Sequence, residues 1–385
     1  MIFQANGSDL VIKLRGTTDS LNVQGGLTVN SWGVSSSLSL LKFSDGTSLT
    51  VGQPSAGQGL PLTFTWLGNA ANFDITGSGY GTNVYEATIG GKFTFVDSSG
   101  VGGANIVKFD KGAQNLIVES NRFSGNIELG PQISAQDVYW QTDNWGHLYL
   151  KLRGDSADSI TIWNDLQLAG GIVTSAIKSV KFADGSVLDM SHGPSQFNWL
   201  GNTANFTLTG TTFGTNIYEV TAANGRINFA DASAVGGVNI VKFDKGGQAL
   251  NVQANNFTGE LDFGATISAQ DVYWQSNGYG DLILKIRGDD ADSINVWGDL
   301  HVVNGALTSA IKTVKFNNGT TVDMSHGPSN FTWLGNVANF NVTGTTFGTN
   351  VYEVAGTNGK INFISALWSC AKPEKAFPSA DSVDS

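Results

Sequence analysis

Alternating apolar and polar positions predict a β-strand in the clearest stretch of the chain. Leu282, Leu284 and Ile286 fall on one side of this strand, and the residues between them fall on the other. Residues 288–292, rich in Gly and Asp, then predict a turn, and residues 293–297 predict the returning strand. The pattern therefore indicates strands joined by short turns.

The next residues predict a hairpin preceded by a short helical turn. Residues 314–322 hold two apolar runs on either side of Asn318 and Gly319, a pair that favours a tight turn with positive φ. Residues 307–311 give the only pattern in this stretch that suggests a helical turn. Long helices are not predicted, because apolar residues do not recur every three to four positions over any long Gly-free stretch.

Another part of the chain shows short apolar runs at intervals of about ten residues, separated by Gly, Asn, Asp or Ser. These apolar runs are centred on Phe206, Ile217, Ile227, Ile240, Leu250 and Leu261. Such spacing is typical of a β-roll or β-solenoid, in which each rung contributes a short strand and a turn. Tandem β-sandwiches are the alternative, because strands at this spacing occur in both architectures.

The pattern recurs along the chain. Trp140 and Trp274, for example, stand 134 residues apart in identical seven-residue segments, and an earlier copy has about six extra residues near Pro54 to Pro61. We predict three tandem units of about 134 residues, at 1–133, 134–267 and 268–363, followed by a non-repeat tail at 364–385. The first unit is expected to start mid-unit and the third to be incomplete. An array that presents one surface several times favours binding or scaffolding over catalysis.

Composition supports an all-β fold and limits the partners. Charged residues make up 14% of the chain, and the formal net charge is −11. Because no basic stripe is present, a nucleic-acid partner is not expected. Acidic, Gly-rich loops leave room for calcium, which prefers oxygen ligands. The single cysteine, Cys370, excludes an internal disulfide framework, and we find neither a cleavable signal nor an apolar transmembrane stretch.

One half of each unit resembles a known family. The resemblance is carried by Gly288, by Asp292-Ser293-Ile294-Asn295-Val296 and by Phe316-Asn317-Asn318-Gly319-Thr320, with Phe182-Ala183-Asp184-Gly185-Ser186 and Phe43-Ser44-Asp45-Gly46-Thr47 in the other copies. These segments resemble the haemolysin-type calcium-binding related domain, which is found beside the Gly/Asp-rich nonapeptides of bacterial RTX proteins. The resemblance implies a secreted, calcium-associated β-roll protein.

The calcium ligands of the RTX nonapeptides are only partly present in this sequence. The segment nearest to an RTX nonapeptide is Ser78 to Glu86, and it recurs at 211–219 and 345–353. At the position where the nonapeptide carries Asp, all three copies have Asn, namely Asn83, Asn216 and Asn350. The resemblance therefore implies a weak or degenerate calcium site instead of a full calcium ladder.

The best remaining carboxylate pairs for calcium are Asp155 with Asp158 and Asp289 with Asp292. They lie in Gly-Asp-x-Ala-Asp-Ser loops, and carboxylates so placed suit an exposed, weak site. The alternative is that these side chains only cap their own turns, which is a general use of Asp.

Repeated aromatic residues suggest a second function. Trp66, Trp199 and Trp333 each precede Leu-Gly-Asn, and exposed rings at regular intervals could stack on sugars. In the alternative interpretation they are core residues, since aromatic side chains dominate core energetics. A weaker hypothesis is a glycan-active enzyme that uses Glu86, Glu219 and Glu353, because carboxylate pairs hydrolyse glycosides.

We therefore predict a non-enzymatic, secreted bacterial repeat protein with a structural or adhesive role. A type I system without a cleaved signal is the export route that the resemblance implies. A surface glycan or another cell-surface component is the expected partner, and the oligomeric state is left open.

Overall fold

The computed structural model describes residues 1–363 except 31–32, 52–61, 69–72, 88, 114, 121–122, 202–206, 221–223, 247–248, 256, 336–340 and 355–359. The extra residues near Pro54 to Pro61 and the predicted tail lie outside the described residues, as do Phe206 and Cys370.

Short strands make up almost all of the regular structure in this part of the chain. The strands of residues 1–133 are β1 (Ile2–Asn6), β2 (Asp9–Lys13), β3 (Ser20–Val23), β4 (Leu27–Asn30), β5 (Gly33–Ser36), β6 (Leu40–Lys42), β7 (Ser48–Thr50), β8 (Thr63–Gly68), β9 (Asp74–Thr76), β10 (Thr82–Ala87), β11 (Gly91–Thr94), β12 (Asn105–Phe109), β13 (Asn115–Glu119) and β14 (Gly125–Leu129). Those of residues 134–267 are β15 (Val138–Thr142), β16 (Leu148–Leu152), β17 (Asp155–Trp163), β18 (Gln167–Ala169), β19 (Ile172–Thr174), β20 (Ile177–Lys181), β21 (Val187–Asp189), β22 (Gln196–Gly201), β23 (Thr207–Thr209), β24 (Thr215–Val220), β25 (Gly225–Asn228), β26 (Asn239–Phe243), β27 (Ala249–Gln253) and β28 (Gly259–Phe263).

The remaining described strands are β29 (Val272–Ser276), β30 (Leu282–Ile286), β31 (Asp289–Trp297), β32 (Leu300–Val303), β33 (Ala306–Ser309), β34 (Ile311–Lys315), β35 (Thr321–Asp323), β36 (Asn330–Gly335), β37 (Asn341–Thr343), β38 (Thr349–Val354) and β39 (Lys360–Asn362). Two 3-10 turns, Ser99–Val101 and Ser233–Val235, complete the regular structure of the described residues. These described residues include no helix with the length and apolarity needed to span a bilayer.

The chain divides into two compact units. The first contains Met1–Val220 and Asn228–Lys242, and the second contains the described residues of Thr221–Ile227 and of Phe243–Ser385. The division into three sequence repeats stays a prediction.

In the first unit, parallel rungs form two sheets. One has the order β21-β20-β14-β12-β10-β8, in which only β21 runs antiparallel to its neighbour. The other has the order β15-β16-β17-β13-β11-β9, in which β17, β13, β11 and β9 are parallel and a β15–β16–β17 meander is antiparallel. Every second apolar run pairs in parallel within one sheet, and the runs between them pair in parallel within the other. This pairing confirms the all-β, β-roll-like prediction, because sandwiches pair such strands antiparallel.

The second unit repeats these pairings. Strand β27 pairs parallel to β31, β28 to β34, β36 to β38 and β37 to β39, while β29, β30 and β31 form an antiparallel meander. The predicted alternation is confirmed in β30, where Leu282, Leu284 and Ile286 are buried and the two residues between them are half-buried.

Apolar side chains from both sheets meet in the core of the first unit. Tyr85, Phe93 and Phe95 are fully buried there, with the Tyr85 ring centroid 5.3 Å and 5.6 Å from those of the two phenylalanines. Aromatic pairs at this distance add to the stabilisation that comes from burial alone.

The prediction of a helical turn at 307–311 is wrong. These residues belong to β33 and β34, and β33 pairs antiparallel with β32 across Asn304 and Gly305. Both turn residues have positive φ, 52° and 81°, which is the conformation that Asn-Gly adopts in a two-residue hairpin. This local turn chemistry prevails over the four-residue spacing of Leu307 and Ile311.

The turn predicted at 288–292 is shorter than expected. Gly288 has a φ of 73°, and β31 already begins at Asp289, next to a register shift at Ile286. A bulge of this kind lets the returning strand start within the loop.

Removing one core ring should test the packing. Phe109 is fully buried in the core of the first unit, whereas Phe73 is exposed. We expect Phe109→Ala to lower the free energy of unfolding by about 3–5 kcal/mol, measured by urea denaturation, because a large cavity forms. Phe73→Ala is the control, with an expected change within about 1 kcal/mol. Similar losses in both variants would contradict the packing described above.

Candidate functional site

A buried asparagine lies at the centre of the nonapeptide-like segment in the first repeat. Asn83 is fully buried, and its Oδ1 accepts hydrogen bonds from Trp66 Nε1 (3.1 Å) and the Ser78 backbone N–H (2.8 Å). Its Nδ2 donates to the Ser78 carbonyl (2.8 Å) and to Asn105 Oδ1 (3.2 Å). These four bonds use both donors and both lone-pair directions of the amide. Its oxygen is therefore already engaged and not presented to a cation.

The second repeat builds the same centre around Asn216. Its Oδ1 accepts from Trp199 Nε1 (3.1 Å) and the Thr211 N–H (2.7 Å), while its Nδ2 donates to the Thr211 carbonyl (2.9 Å) and to Asn239 Oδ1 (3.1 Å). We call this amide with its indole and loop partners the asparagine centre.

The third repeat retains the indole and the loop bonds. Asn350 Oδ1 accepts from Trp333 Nε1 (3.0 Å) and the Thr345 N–H (2.7 Å), and Nδ2 donates to the Thr345 carbonyl (2.8 Å). The asparagine centre thus recurs wherever the nonapeptide-like segment recurs.

The three tryptophans proposed for sugar stacking are half-buried. Trp66, Trp199 and Trp333 point their indole N–H groups into the asparagine centres, and Trp66 and Trp199 also pack against the core of the first unit. Ligand stacking by these three rings stays a prediction.

A tyrosine two residues after the asparagine completes the packing. Tyr85 Oη lies 3.0 Å from Asn105 Oδ1 and 3.2 Å from the Thr94 carbonyl, and burial raises the pKa of its phenol. A Cβ placed on Gly77 would lie 2.0 Å from Tyr85 Oη. Glycine is therefore required at this position for steric reasons, independently of any metal.

The repeated glutamates are ion-paired with arginines. Arg153 Nη1 and Nη2 lie 2.9 Å and 3.0 Å from the two carboxylate oxygens of Glu219, and Arg287 holds Glu353 in the same way at 2.7 Å and 2.9 Å. In the first repeat, Arg15 pairs with Glu86. Planar guanidinium groups bind carboxylates well in this two-point geometry.

The predicted calcium carboxylates accept backbone hydrogen bonds. Asp155 Oδ1 accepts from the N–H groups of Ala157 (3.0 Å) and Asp158 (3.2 Å). Asp158 is buried, and its Oδ2 accepts from the Gly112 N–H at 2.6 Å. The two carboxylates thus share one turn, and each accepts at least one backbone N–H group.

The third repeat reproduces this arrangement. Asp289 accepts from Ala291 and Asp292, and the buried Asp292 accepts from the Gly246 N–H at 2.7 Å. Among the described residues, no group of three or more His, Cys, Asp or Glu side chains is arranged to hold a metal ion. Calcium binding at Asp155, Asp158, Asp289 and Asp292 stays a prediction.

Sequence reasoning missed a buried aspartate beside the β18–β19 hairpin. Asp165 Oδ1 accepts from the N–H groups of Ala176 (3.0 Å) and Ile177 (3.2 Å), and Oδ2 accepts from Ser175 Oγ (2.7 Å). Burial raises the pKa of Asp165 to about 6, although these hydrogen bonds and nearby Lys178 oppose the shift. The equivalent Asp299 makes the same contacts, and burial also raises its pKa. A lone Asp before Leu carries no sequence signal that distinguishes it from a turn residue.

Comparison with known families supports the resemblance inferred from the sequence. Residues 9–53 match the family described as haemolysin-type calcium binding protein related domain. This segment runs from β2 to just beyond β7, and it contains Gly16 and the Phe43 to Thr47 hairpin. The predicted similarity to this family is confirmed for that part of the chain. No curated protein matches the chain.

An aspartate in place of the buried asparagine should destabilise the fold. Asn216→Asp replaces the two amide donors by a buried carboxylate that faces the Thr211 carbonyl and Asn239 Oδ1. We expect the free energy of unfolding at pH 7 to fall by about 3 kcal/mol or more, because an unpaired buried charge is costly. The loss should shrink at pH 4.5, where the carboxyl is protonated.

Asn318→Asp is the matched control for this variant. Asn318 is exposed in a turn, and the equivalent residue of the second repeat is already Asp184. Urea denaturation at the two pH values measures both variants. If Asn216→Asp leaves stability unchanged, the asparagine centre is not required for the fold.

The buried Asp165 should make stability fall as pH rises. Because its pKa is raised from 3.8 to about 6, the folded state keeps a proton that the unfolded state releases between these values. Its contribution is therefore complete below pH 4 and is lost as pH rises through 6. Asp165→Asn should reduce this decline in unfolding free energy by about 3 kcal/mol, measured by denaturation from pH 4 to pH 7. Identical pH profiles for both proteins would rule this residue out.

Proposed function

We propose that this protein is a non-enzymatic repeat scaffold of the haemolysin-type calcium-binding kind, with a structural or adhesive role. The observation that carries the proposal is the recurrence of the asparagine centre at Asn83, Asn216 and Asn350. The side chains that recur most regularly are occupied in holding rungs together. A chain with this property is suited to extend and present surfaces.

The repeated glutamates support the absence of catalysis. A glycosidase acid needs a raised pKa and a second carboxylate at a defined distance. The hydrogen bond from Arg287 instead holds the pKa of Glu353 below its ordinary value. Burial alone would raise the pKa of Glu219, but the hydrogen bonds and charge of Arg153 outweigh burial. The pKa of Glu219 is therefore below its ordinary value. These carboxylates are therefore ionised partners of arginine.

We further propose that the protein acts outside the cell. The match of residues 9–53 to a haemolysin-type family supports export, and the acidic composition with one cysteine is compatible with it. In this proposal export follows a type I route without a cleaved signal. A surface glycan or another cell-surface component is the partner.

Calcium has a minor role in this proposal. The turns of Asp155 and Asp289 each hold a half-buried carboxylate that could bind the cation weakly, whereas Asp158 and Asp292 are buried against backbone N–H groups. In this proposal, burial of apolar side chains and the hydrogen bonds of the asparagine centres stabilise the fold. Calcium would then add stability without being needed for the fold.

Calcium titration tests this division of roles. In chelator we expect an unchanged β-sheet circular dichroism spectrum, and saturating calcium should raise the melting temperature by a few degrees, because a ligand that binds only the folded state stabilises it. Asp155→Asn combined with Asp289→Asn should abolish the rise. Asp184→Asn is the control, since the third repeat has Asn318 at this position. Unfolding in chelator would contradict the scaffold, and the absence of any calcium effect would contradict the weak site.

A further inference from the structure

A cleft recurs beside the same hairpin in the second and third repeats. In the second repeat it has a volume of about 280 Å³, and its walls include Phe123, Thr174 and Lys178. In the third repeat it has a volume of about 410 Å³, and the equivalent walls are Phe257, Thr308 and Lys312. The function proposed above makes no use of this cleft.

The lysine of each cleft is held in place by a buried network. Lys178 Nζ donates to the Ser175 carbonyl at 2.5 Å, and Ser175 is itself buried with its hydroxyl bonded to Asp165. Lys312 makes the same bond to the buried Ser309. Because an ammonium group has three N–H donors, this bond leaves others for a ligand. The lysine is thus positioned before any ligand arrives.

The first repeat shows that the hairpin forms without this lysine or its aspartate. Gly26 stands at the position of Asp165, and Ser39 stands at the position of Lys178. This alignment of the two repeats rests on Ser36 and Ser175. The Oγ of each serine accepts a hydrogen bond from the backbone N–H two residues later. The β4–β5 hairpin nevertheless forms. The acid and the lysine are absent together, which favours a shared role other than building the hairpin.

The other walls of the cleft suit a sugar ring. A half-buried phenylalanine supplies an apolar face, Thr174 or Thr308 supplies a hydroxyl, and Gln167 or His301 adds a second polar side chain. Shallow sites that combine one aromatic face with a few placed polar groups fix the orientation of small polar ligands. In a chain of net charge −11, a preorganised ammonium group selects a negative group on that ligand.

We propose that each cleft binds a sugar residue that bears a carboxylate, with the ammonium group of Lys178 or Lys312 on that carboxylate. Phe123 or Phe257 lies against the ring, and the neighbouring hydroxyl and polar side chains bind the sugar hydroxyls. This inference rests on the adhesive part of the proposed function and gives it a ligand class. The scaffold part does not depend on it.

Calorimetric titration of the full chain tests the proposal. The probes are short oligomers of galacturonic and glucuronic acid, with uncharged oligomers of galactose and glucose for comparison, all in chelator so that calcium cannot bridge sugar and protein. We expect a uronate oligomer to bind at two sites per chain and the uncharged oligomers to bind at least tenfold more weakly.

Two variants of equal charge separate the cleft from the general surface. Lys178→Gln with Lys312→Gln should weaken uronate binding at least tenfold, because a charge-assisted hydrogen bond is lost in each cleft. Lys111→Gln with Lys245→Gln removes the same charge from exposed turns outside the cleft and should change affinity less than twofold. The absence of uronate binding, equal binding of uncharged oligomers, or equal losses in both variants would overturn the proposal.

Thermal unfolding distinguishes failure of the ligand from failure of the scaffold. All three proteins should melt within a few degrees of one another and keep the same β-sheet spectrum. If the lysine variant alone unfolds, Lys178→Arg with Lys312→Arg replaces it, since arginine keeps the charge. Uronate binding retained by this arginine variant would support the proposal, and its loss in a folded arginine variant would contradict it.

Discussion

The hydrogen-bonded asparagine of each nonapeptide-like segment, buried at Asn83 and Asn216 and half-buried at Asn350, is the interaction on which the rest of the repeat depends. The side-chain amide of Asn83 accepts hydrogen bonds from the backbone N–H of its own loop and from the indole N–H of Trp66. It also donates a hydrogen bond to Asn105 on the neighbouring rung. Buried polar networks of this kind are stable only when every donor and acceptor has a partner. An amide meets that requirement with two donors and one acceptor oxygen, whereas a carboxylate at the same place would bring charge and no donor.

A second set of contacts repeats on the surface of the rungs. Gln4, Gln141 and Gln275 each donate from Nε2 to a backbone carbonyl of the strand that contains the tryptophan of the same repeat. An Arg–Glu pair also lies in each repeat. Exposed ion pairs contribute little stability individually, so their value here lies in fixing geometry. Repetition of the same contacts explains how one sequence pattern specifies the same rung several times.

Local sequence signals predicted much of the fold. Alternation identified β30 correctly, and the Asn-Gly pair at Asn318 and Gly319 identified the hairpin of β34 and β35. The same kind of pair at Asn304 and Gly305 closes the hairpin of β32 and β33, where the spacing of apolar residues predicts a helical turn at 307–311. In each of these cases the information lay within a few residues, because turn geometry and strand alternation are properties of the local backbone.

What the sequence by itself determined is the all-β class, the repeat and the resemblance of one segment to a haemolysin-type family. Only the tertiary structure decided between parallel rungs and sandwiches, because strand pairing joins residues some twenty positions apart, as in β10 and β12. It also showed that the side-chain amide of Asn83 is already hydrogen-bonded within the protein, and that Asp165 is buried beside Lys178. Such roles depend on which distant groups satisfy each polar atom, and one-dimensional spacing does not contain that information.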